Sequence, residues 1–523
     1  MQNNFLIATF IFIFSLTQYS CVPDNKTKRI IVASSGKIES LDPARANTLK
    51  SLQLLNSLGD TLYELNSERE LIPELASGMP IFSKDKLQII INLRKNVLFH
   101  DGTVFNSNAI KFSFDRFKRI GTMNYILGNK IKSIETPSEY KIIINLHKPS
   151  SSVNGLLTSV YLTPISPTFY EGYSDKFLND KFIGTGKYIL KRFSNEIQII
   201  DPNLNYWGDK PINEGISFIG YSNSTSLFGA LKSKQIDVLL SNSIDDSQRN
   251  NLSLLSKKKE IKEGTSPATE ISFISLRTNS YPLNNLNVRL AIAKSLNRKL
   301  LSNKVSYGMR QPSRSLVPPI YKKNNQELWP EYDPIKAKIL LQKEGYCNGN
   351  ILEFPLTYRS NVPADKLIAL FWQDDIKNIL NDCINIRLNG VESTTIYKNL
   401  NLGIYTAVIL DWTGPYSDPE AYLTPLLSCS DLDGENCKKG ESLYSGSFWG
   451  SNKVEKLFLE SENLNGKERL AKLIELETIA SESIPYIPIW ISSQKAWSQN
   501  QVSKPIFNGA GIISMSDLEF INE

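Results

Sequence analysis

Two histidines, His100 and His147, are all that the chain carries in 523 residues, and its cysteines number five. No CxxC and no HExxH occurs, so the usual ligand sets of a structural or catalytic zinc are missing. A GxSxG nucleophile elbow is missing as well, and a Ser-His-Asp triad would have to use one of the two histidines. Gly184-Thr185-Gly186-Lys187-Tyr188 is glycine-rich but lacks the spacing of a phosphate-binding loop, and it reads as a tight turn between packed strands. No dense Lys/Arg stripe is present, and a net charge of +6 is spread over 59 basic and 53 acidic residues, which argues against a nucleic-acid partner. The short run Lys257-Lys258-Lys259 reads as a solvated helix end. There is no internal repeat and no low-complexity segment. Metal, hydrolytic and nucleic-acid chemistry thus find little support, and no cofactor is implied.

What the chain does have begins with an apolar run, FLIATFIFIFSL at residues 5–16. It has signal-peptide length and falls short of the roughly 20 residues that span a bilayer. Ser20-Cys21 follows, and charged sequence begins at Asp24. An apolar segment ending at a small residue and Cys resembles a bacterial lipoprotein signal, which implies export and a lipid on Cys21. The match departs in two places: residues 1–4 carry no Lys or Arg, and Gln18-Tyr19 replace an apolar-small pair. No other stretch reads as transmembrane, so work across a membrane needs partners. Residues 1–20 are accordingly set apart as a signal peptide.

With Cys21 assigned to lipid, Cys347, Cys383, Cys429 and Cys437 remain, an even number in an exported chain, which favours disulfides over reactive thiols. Cys429 and Cys437 bracket the polar loop SDLDGEN, while Cys347 follows a helix end and Cys383 precedes a strand. Either pair can close; the alternative is free buried thiols.

At 523 residues the chain exceeds one compact core and points to two to four domains. Its 41% hydrophobic and 21% charged residues argue against general disorder. In residues 71–119, Leu87, Ile89, Ile91 and Leu93 alternate with other residues as in a half-buried strand. His100-Asp101-Gly102 breaks the run, Asn106 is placed to cap a helix, and Ile110, Phe114 and Phe117 follow at helical spacing. Residues 132–146 read as a turn and one alternating strand. Beyond residue 269, strands near 270–276, 352–358 and 384–388 alternate with helices near 287–296, 333–345 and 364–380. Residues 454–481 are mostly helical, and 484–491 form a closing strand.

The wording of residues 71–119, ELASG…LRKNVLFHDGTVFNSNAIKFSFDR, resembles the signature region of the family 5 extracytoplasmic solute-binding proteins, the dipeptide-, oligopeptide- and nickel-type receptors of ABC importers. Further pieces resemble the family in its order: the loop containing Ser40-Leu41-Asp42-Pro43-Ala44, the turn GTGKY, NLNYWGDKP at 203–211, ALKSKQIDV near 230–238, and NVRLAIAKSL at 287–296. The resemblance covers nearly all of residues 30–500. It implies an α/β, two-lobed periplasmic-binding-protein fold (type II, cluster C) with an inserted subdomain and a cleft between the lobes. Lobe one would comprise residues 22–48, 166–268 and 484–523, with 49–165 as the inserted subdomain, and lobe two residues 269–483. The chain would cross between lobes near 268 and 483, and those two strands would form the hinge.

Recognition residues also follow from the resemblance. LDWTGPYSDPEAY at 410–422 is similar to a cleft segment, "GWTGDYxDPxxF", in which the Asp after the Gly pairs with a peptide's α-ammonium. Trp412, Thr413 and Gly414 match, but Pro415 replaces that Asp, and proline has neither a carboxylate nor an N–H. This marks either a new specificity or another way of holding a peptide. Glu39, in the loop across the cleft, is the candidate for a ligand's positive charge, set against a solvated loop carboxylate. Asp411, next to Trp412 on a strand, would point to the opposite face. Asp418 is a candidate contact, though Asp418-Pro419-Glu420 also has the form of a helix start. Arg359 sits where dipeptide receptors hold the ligand's C-terminal carboxylate; an ordinary Arg after a strand is the alternative.

These features imply a monomeric lipoprotein, periplasmic or at the cell surface, that captures a small solute and catalyses nothing. The solute would be a di- or oligopeptide, delivered to an ABC permease and its ATPase. The same fold holding a metal complex or another solute, and an exported hydrolase, are the alternatives.

Overall fold

A computed structural model describes residues 28–46, 48–241, 244–322 and 327–521. The signal segment and Cys21 lie outside the described residues. One 11-stranded mixed sheet runs through the molecule. Its middle is two long antiparallel strands, Ile261–Leu276 and Tyr486–Gln499. On one side lie Ala407–Thr413, Leu352–Arg359 and Ile384–Val391, and on the other Val238–Leu240, Ile30–Ser35, Ile216–Tyr221, Ile197–Pro202 and Tyr188–Phe193, while the short Gln311–Pro312 pairs with Tyr486–Gln499 off this order. The fold is the two-lobed α/β architecture with an inserted subdomain. Lobe two has one large core, in which Phe273, Trp329, Trp372 and Trp490 are buried. Lobe one has a core on each sheet face, with Ile30 and Val32 facing one and Ala33 the other, as the alternation of a strand requires.

The two long strands belong to both lobes. Residues 261–265 pair with 495–499, and residues 270–275 pair with 486–492. Between these stretches the register shifts, at Thr265/Ala268 and again at Ala268/Glu270. Such irregularities loosen a ladder locally and let strands bend.

The inserted subdomain is a four-stranded antiparallel sheet, Ile81–Phe82, Gln88–Asn92, Lys141–Leu146 and Ile131–Ser138, packed against helix Ser107–Ile120. Ile89 and Ile91 are fully buried, and Asn106 accepts from the N–H groups of Asn108 and Ala109 at the helix start. Residues 132–146 hold two strands rather than a turn and one strand; the sequence Glu135-Thr136-Pro137-Ser138 hides the first because its residues are largely exposed. Helix Leu49–Leu58 ends at Gly59, and Tyr63–Leu65 is a strand.

Several family-like loops hold the subdomain to lobe one. Asp42 accepts from both terminal nitrogens of Arg116 at 2.8 and 2.6 Å, and from the N–H of Ala44 and Leu178. Both residues of that ion pair are buried. Tyr206 and Trp207 of the NLNYWGDKP loop donate to Asp60 at 3.1 and 2.9 Å. In the GTGKY turn, Thr185 donates to the same carboxylate at 2.8 Å. Cys347 is disulfide-bonded to Cys383, and Cys429 to Cys437.

His100 packs against that turn: its N–H donates to Gly184 O at 2.9 Å and its Nε2 lies 3.1 Å from Gly186 O. Burial pushes the imidazole down from 6.5 to about 4, so it is neutral in the folded chain. The unfolded chain takes up the proton first, so the contribution of His100 is complete above pH 6.5 and is lost as pH falls to about 4. That shift corresponds to about 3 kcal/mol. His100→Gln should therefore show a shallower fall in thermal midpoint between pH 6.5 and 4 than the wild type, read by scanning calorimetry in a pH series.

Candidate functional site

A cavity of about 270 Å³ lies between the inserted subdomain and lobe two. The subdomain contributes Ile126, Asn129, Lys130 and Lys148 to its wall. Lobe two contributes Trp412, Pro415 and Tyr416, the first turns of helix Glu420–Leu427, and Glu441, Glu455 and Glu462. The segment 412–416 enters because strand Ala407–Thr413 ends beside the register shift of the central pair, with Thr413 opposite Glu270.

That segment is fastened on its own side first. Trp412 Nε1 donates to Ala421 O at 2.8 Å, which leaves the indole face on the cavity wall. Gly414 lies under the same helix: a Cβ there would stand 2.8 Å from the Tyr422 ring and 3.0 Å from the Ala421 methyl. Thr413 is exposed. Pro415 lines the cavity, and its carbonyl accepts from Ser159 of the subdomain at 3.4 Å.

Other groups reach across the same gap. Arg69 donates to Ser417 and to Gly509 O, and its guanidinium lies over the Tyr321 ring at 4.6 Å. Gly155 meets Ser417 backbone to backbone; a Cβ on it would come within 2.7 Å of the Ser417 carbonyl oxygen. Lys86 donates to Asn463 O at 3.0 Å, and Ser151 donates to Glu462 O at 3.2 Å and to Leu464 O. Lys130, nearly buried, places Nζ 2.5 Å from Glu420 Oε1 and 3.5 Å from Glu462 Oε1. Burial works against its charge, but Glu420 and Glu462 outweigh it and hold the ammonium above its ordinary pKa.

The residues expected from sequence separate into two groups. Trp412 and Pro415 line the cavity, with Gly414 behind them. Glu39 is exposed, beside Lys50, and outside the cavity wall. Asp418 is turned inward: it accepts from Arg469 Nη1 and Nη2, both at 2.8 Å, and from the N–H of Glu420 at 2.9 Å. Its carboxylate thus caps helix Glu420–Leu427, which starts one residue later than an Asp418 cap with first-turn Pro419 would place it.

Arg359 is also committed within the protein. Nε and Nη2 donate to Asp365 at 2.7 and 3.0 Å, Nη1 and Nη2 to Asp411 at 2.8 and 2.7 Å, and Nη1 to Tyr397 at 2.9 Å. Burial works against its charge, and Asp411 and Asp365 more than compensate. Every guanidinium nitrogen is engaged, so no fork remains for a ligand carboxylate in this arrangement. Lys130, Glu441, Glu455, Glu462 and Arg469 were not legible as site residues. Glu455 and Glu462 share helix Asn452–Glu462, the others stand in separate elements, and only the fold brings them together. Among the described residues, no group of three or more His, Cys, Asp or Glu side chains is arranged to hold a metal ion.

A two-lobed α/β fold with a cavity between the inserted subdomain and lobe two, bridged by polar groups, has the form of a solute-binding protein. The comparisons with known proteins identify which kind. Residues 70–434 match the model of the bacterial extracellular solute-binding proteins, family 5 Middle, and the chain belongs to that family. It is 26% identical over 454 residues to heme-binding protein A of Haemophilus influenzae, covering 80% of this chain and 79% of that protein. It is 24% identical over 497 residues to di/tripeptide-binding protein 3 of Pseudomonas aeruginosa, covering 88% and 89% of the two chains. The crystal structure of a dipeptide binding protein from Pseudoalteromonas sp. SM9913, in complex with Met-Leu, superposes with a TM-score of 0.80 at 22% identity, over 94% of this chain and 100% of that one.

Replacing Arg359 by Met leaves two carboxylates facing each other without their cation. The expected cost is about 3–5 kcal/mol, seen as a lowered thermal and urea midpoint in the unliganded protein. A role limited to ligand contact would instead leave the unliganded midpoint where it was.

Proposed function

We propose that this protein is the substrate-binding subunit of an ABC importer and that its solute is a di- or oligopeptide held between the lobes. The cavity carries this reading: it is formed by both bodies, and the residues around it bridge them. Solute that fits the closed form better than the open one shifts the equilibrium toward closure. The proposed bending line runs through the register shifts of the central pair, at residues 265–270 of the first strand and 492–495 of the second. In this reading the second crossing lies inside the strand Tyr486–Gln499 instead of at the expected residue 483. For lobe one with its inserted subdomain and for lobe two, the proposal otherwise adopts the boundaries expected from sequence.

In this reading no bond is made or broken, and the closed protein passes its solute to a permease driven by a separate ATPase. Cys21 would carry the lipid that holds a monomeric receptor at the membrane surface. No helix among the described residues is long and apolar enough to cross a membrane.

A non-peptide solute, such as a metal complex or haem, is the second reading. Pro415 favours it, since it stands where an ammonium-binding Asp would be expected, and so does the name of the Haemophilus influenzae relative. The test is thermal unfolding of the protein from residue 22 onward with free dipeptides, N-blocked dipeptides, longer peptides, haem and nickel chelates. A ligand at about a hundred times its Kd adds roughly 2.7 kcal/mol, a visible displacement of the melting curve. Stabilisation by peptides is the expected result. A response to haem or a chelate with none to any peptide would establish the second reading instead.

A further inference from the structure

The cavity carries more negative than positive charge, and the excess is unpaired. Five carboxylates, Asp418, Glu420, Glu441, Glu455 and Glu462, stand in or directly behind its wall, against three cations, Lys130, Lys148 and Arg469. Two of the cations are fully engaged. Lys130 lies against Glu420 and Glu462, and Arg469 lies against Asp418 and Glu420. Lys148 is half exposed and reaches Glu462 Oε1 only at 3.7 Å.

Of the remaining carboxylates, Glu462 meets Lys130 and Lys148 through Oε1 alone, and the other two have no cation of their own among the described residues. Glu441 forms no ion pair among the described residues, and Glu455 accepts from the Cys429 N–H at 2.6 Å. Glu462 is 6% exposed, and its Oε2 has no hydrogen-bond partner. Burial raises the pKa of all three, which is the mark of carboxylates held out of water with too little positive charge nearby. An unpaired buried oxygen costs free energy that a donor entering the cavity would recover. A cation does so best, because its hydrogen bonds to carboxylate are charge-assisted.

We propose that this cavity receives a positively charged side chain of the solute, one ending in an ammonium or guanidinium, at the wall that Glu441, Glu455 and Glu462 line. The inference rests on the reading of the cavity as the solute site. It names the chemical class of what enters, and it assigns the charge recognition to helix-borne carboxylates some distance along the chain from Pro415. At about 270 Å³ the space lies just below the range of about 300–1,000 Å³ typical of whole small-molecule sites, so it takes one side chain rather than the whole solute.

The experiment uses the protein from residue 22 onward with both disulfides formed. Titration calorimetry compares Ala-Lys, Ala-norleucine and Ala-Glu, and thermal unfolding adds the free cations agmatine and cadaverine with neutral pentanol as control. Ala-Lys should bind at least about tenfold more tightly than Ala-norleucine, a difference of about 1.4 kcal/mol. Ala-Glu should be the weakest. In Glu441→Gln and in the Glu441→Gln/Glu455→Gln variant the ratio between Ala-Lys and Ala-norleucine should collapse toward one.

Equal affinity for Ala-Lys and Ala-norleucine in the wild type overturns the inference and leaves solute capture standing. Stabilisation by agmatine and cadaverine with no peptide bound upholds it and overturns the peptide reading. Silence from every probe overturns both. Should the double variant fail to fold, the wild-type ratio and the single variant still decide.

Discussion

The pairing of Ile261–Leu276 with Tyr486–Gln499 is the constraint on which the rest of the molecule depends. The sheet order places lobe two's strands on one side of this pair and lobe one's on the other. Continuous main-chain hydrogen bonding would make the whole sheet one stiff body. The register shifts between residues 265 and 270 interrupt it where the strands pass from one core to the next. A sheet that is firm at both ends and irregular in the middle suits a receptor whose lobes move as units. The same irregularity delivers the end of strand Ala407–Thr413, and with it Trp412 and Pro415, to the cavity mouth.

Electrostatics around the cavity divide into two kinds. Asp42–Arg116 and Arg359 with its two aspartates are internal fasteners, fully satisfied and indifferent to what lies between the lobes. Lys130 is different, because its partners Glu420 and Glu462 stand on the opposite body. Opening would return three charges to water, and closing removes them from it. Such pairs gain little net free energy, since Coulomb attraction and desolvation nearly cancel. Their value lies in fixing how the two bodies meet, while the solute supplies the driving force.

Much of the fold was legible because it is written in local patterns. The alternation of Ile89 and Ile91, the Asn106 cap and the helix carrying Phe114 all follow from periods of two and 3.6 residues. The site was legible only in part. Trp412 and Pro415 lie in a segment long enough to be matched as wording, and both line the cavity. Arg359 and Asp418 lie in equally family-like wording, yet internal carboxylates and Arg469 consume their bonding capacity. A sequence shows that a residue is charged; it does not show which opposite charge the fold has placed beside it. Glu441, Glu455 and Glu462 sit on helical segments whose sequences call for ordinary surface carboxylates, and only the approach of Lys130's subdomain encloses them.

The contact of Gly155 with Ser417 has a mechanical meaning. Two backbones touch there with no side chain between them. Long arms such as Lys130 and Arg69 adapt to small displacements, whereas main-chain atoms in contact do not. That contact is therefore a hard stop between the subdomain and lobe two, and its clearance is less than the width of one methyl group. At this point the receptor carries its own gauge, so that a single added carbon would wedge the lobes ajar.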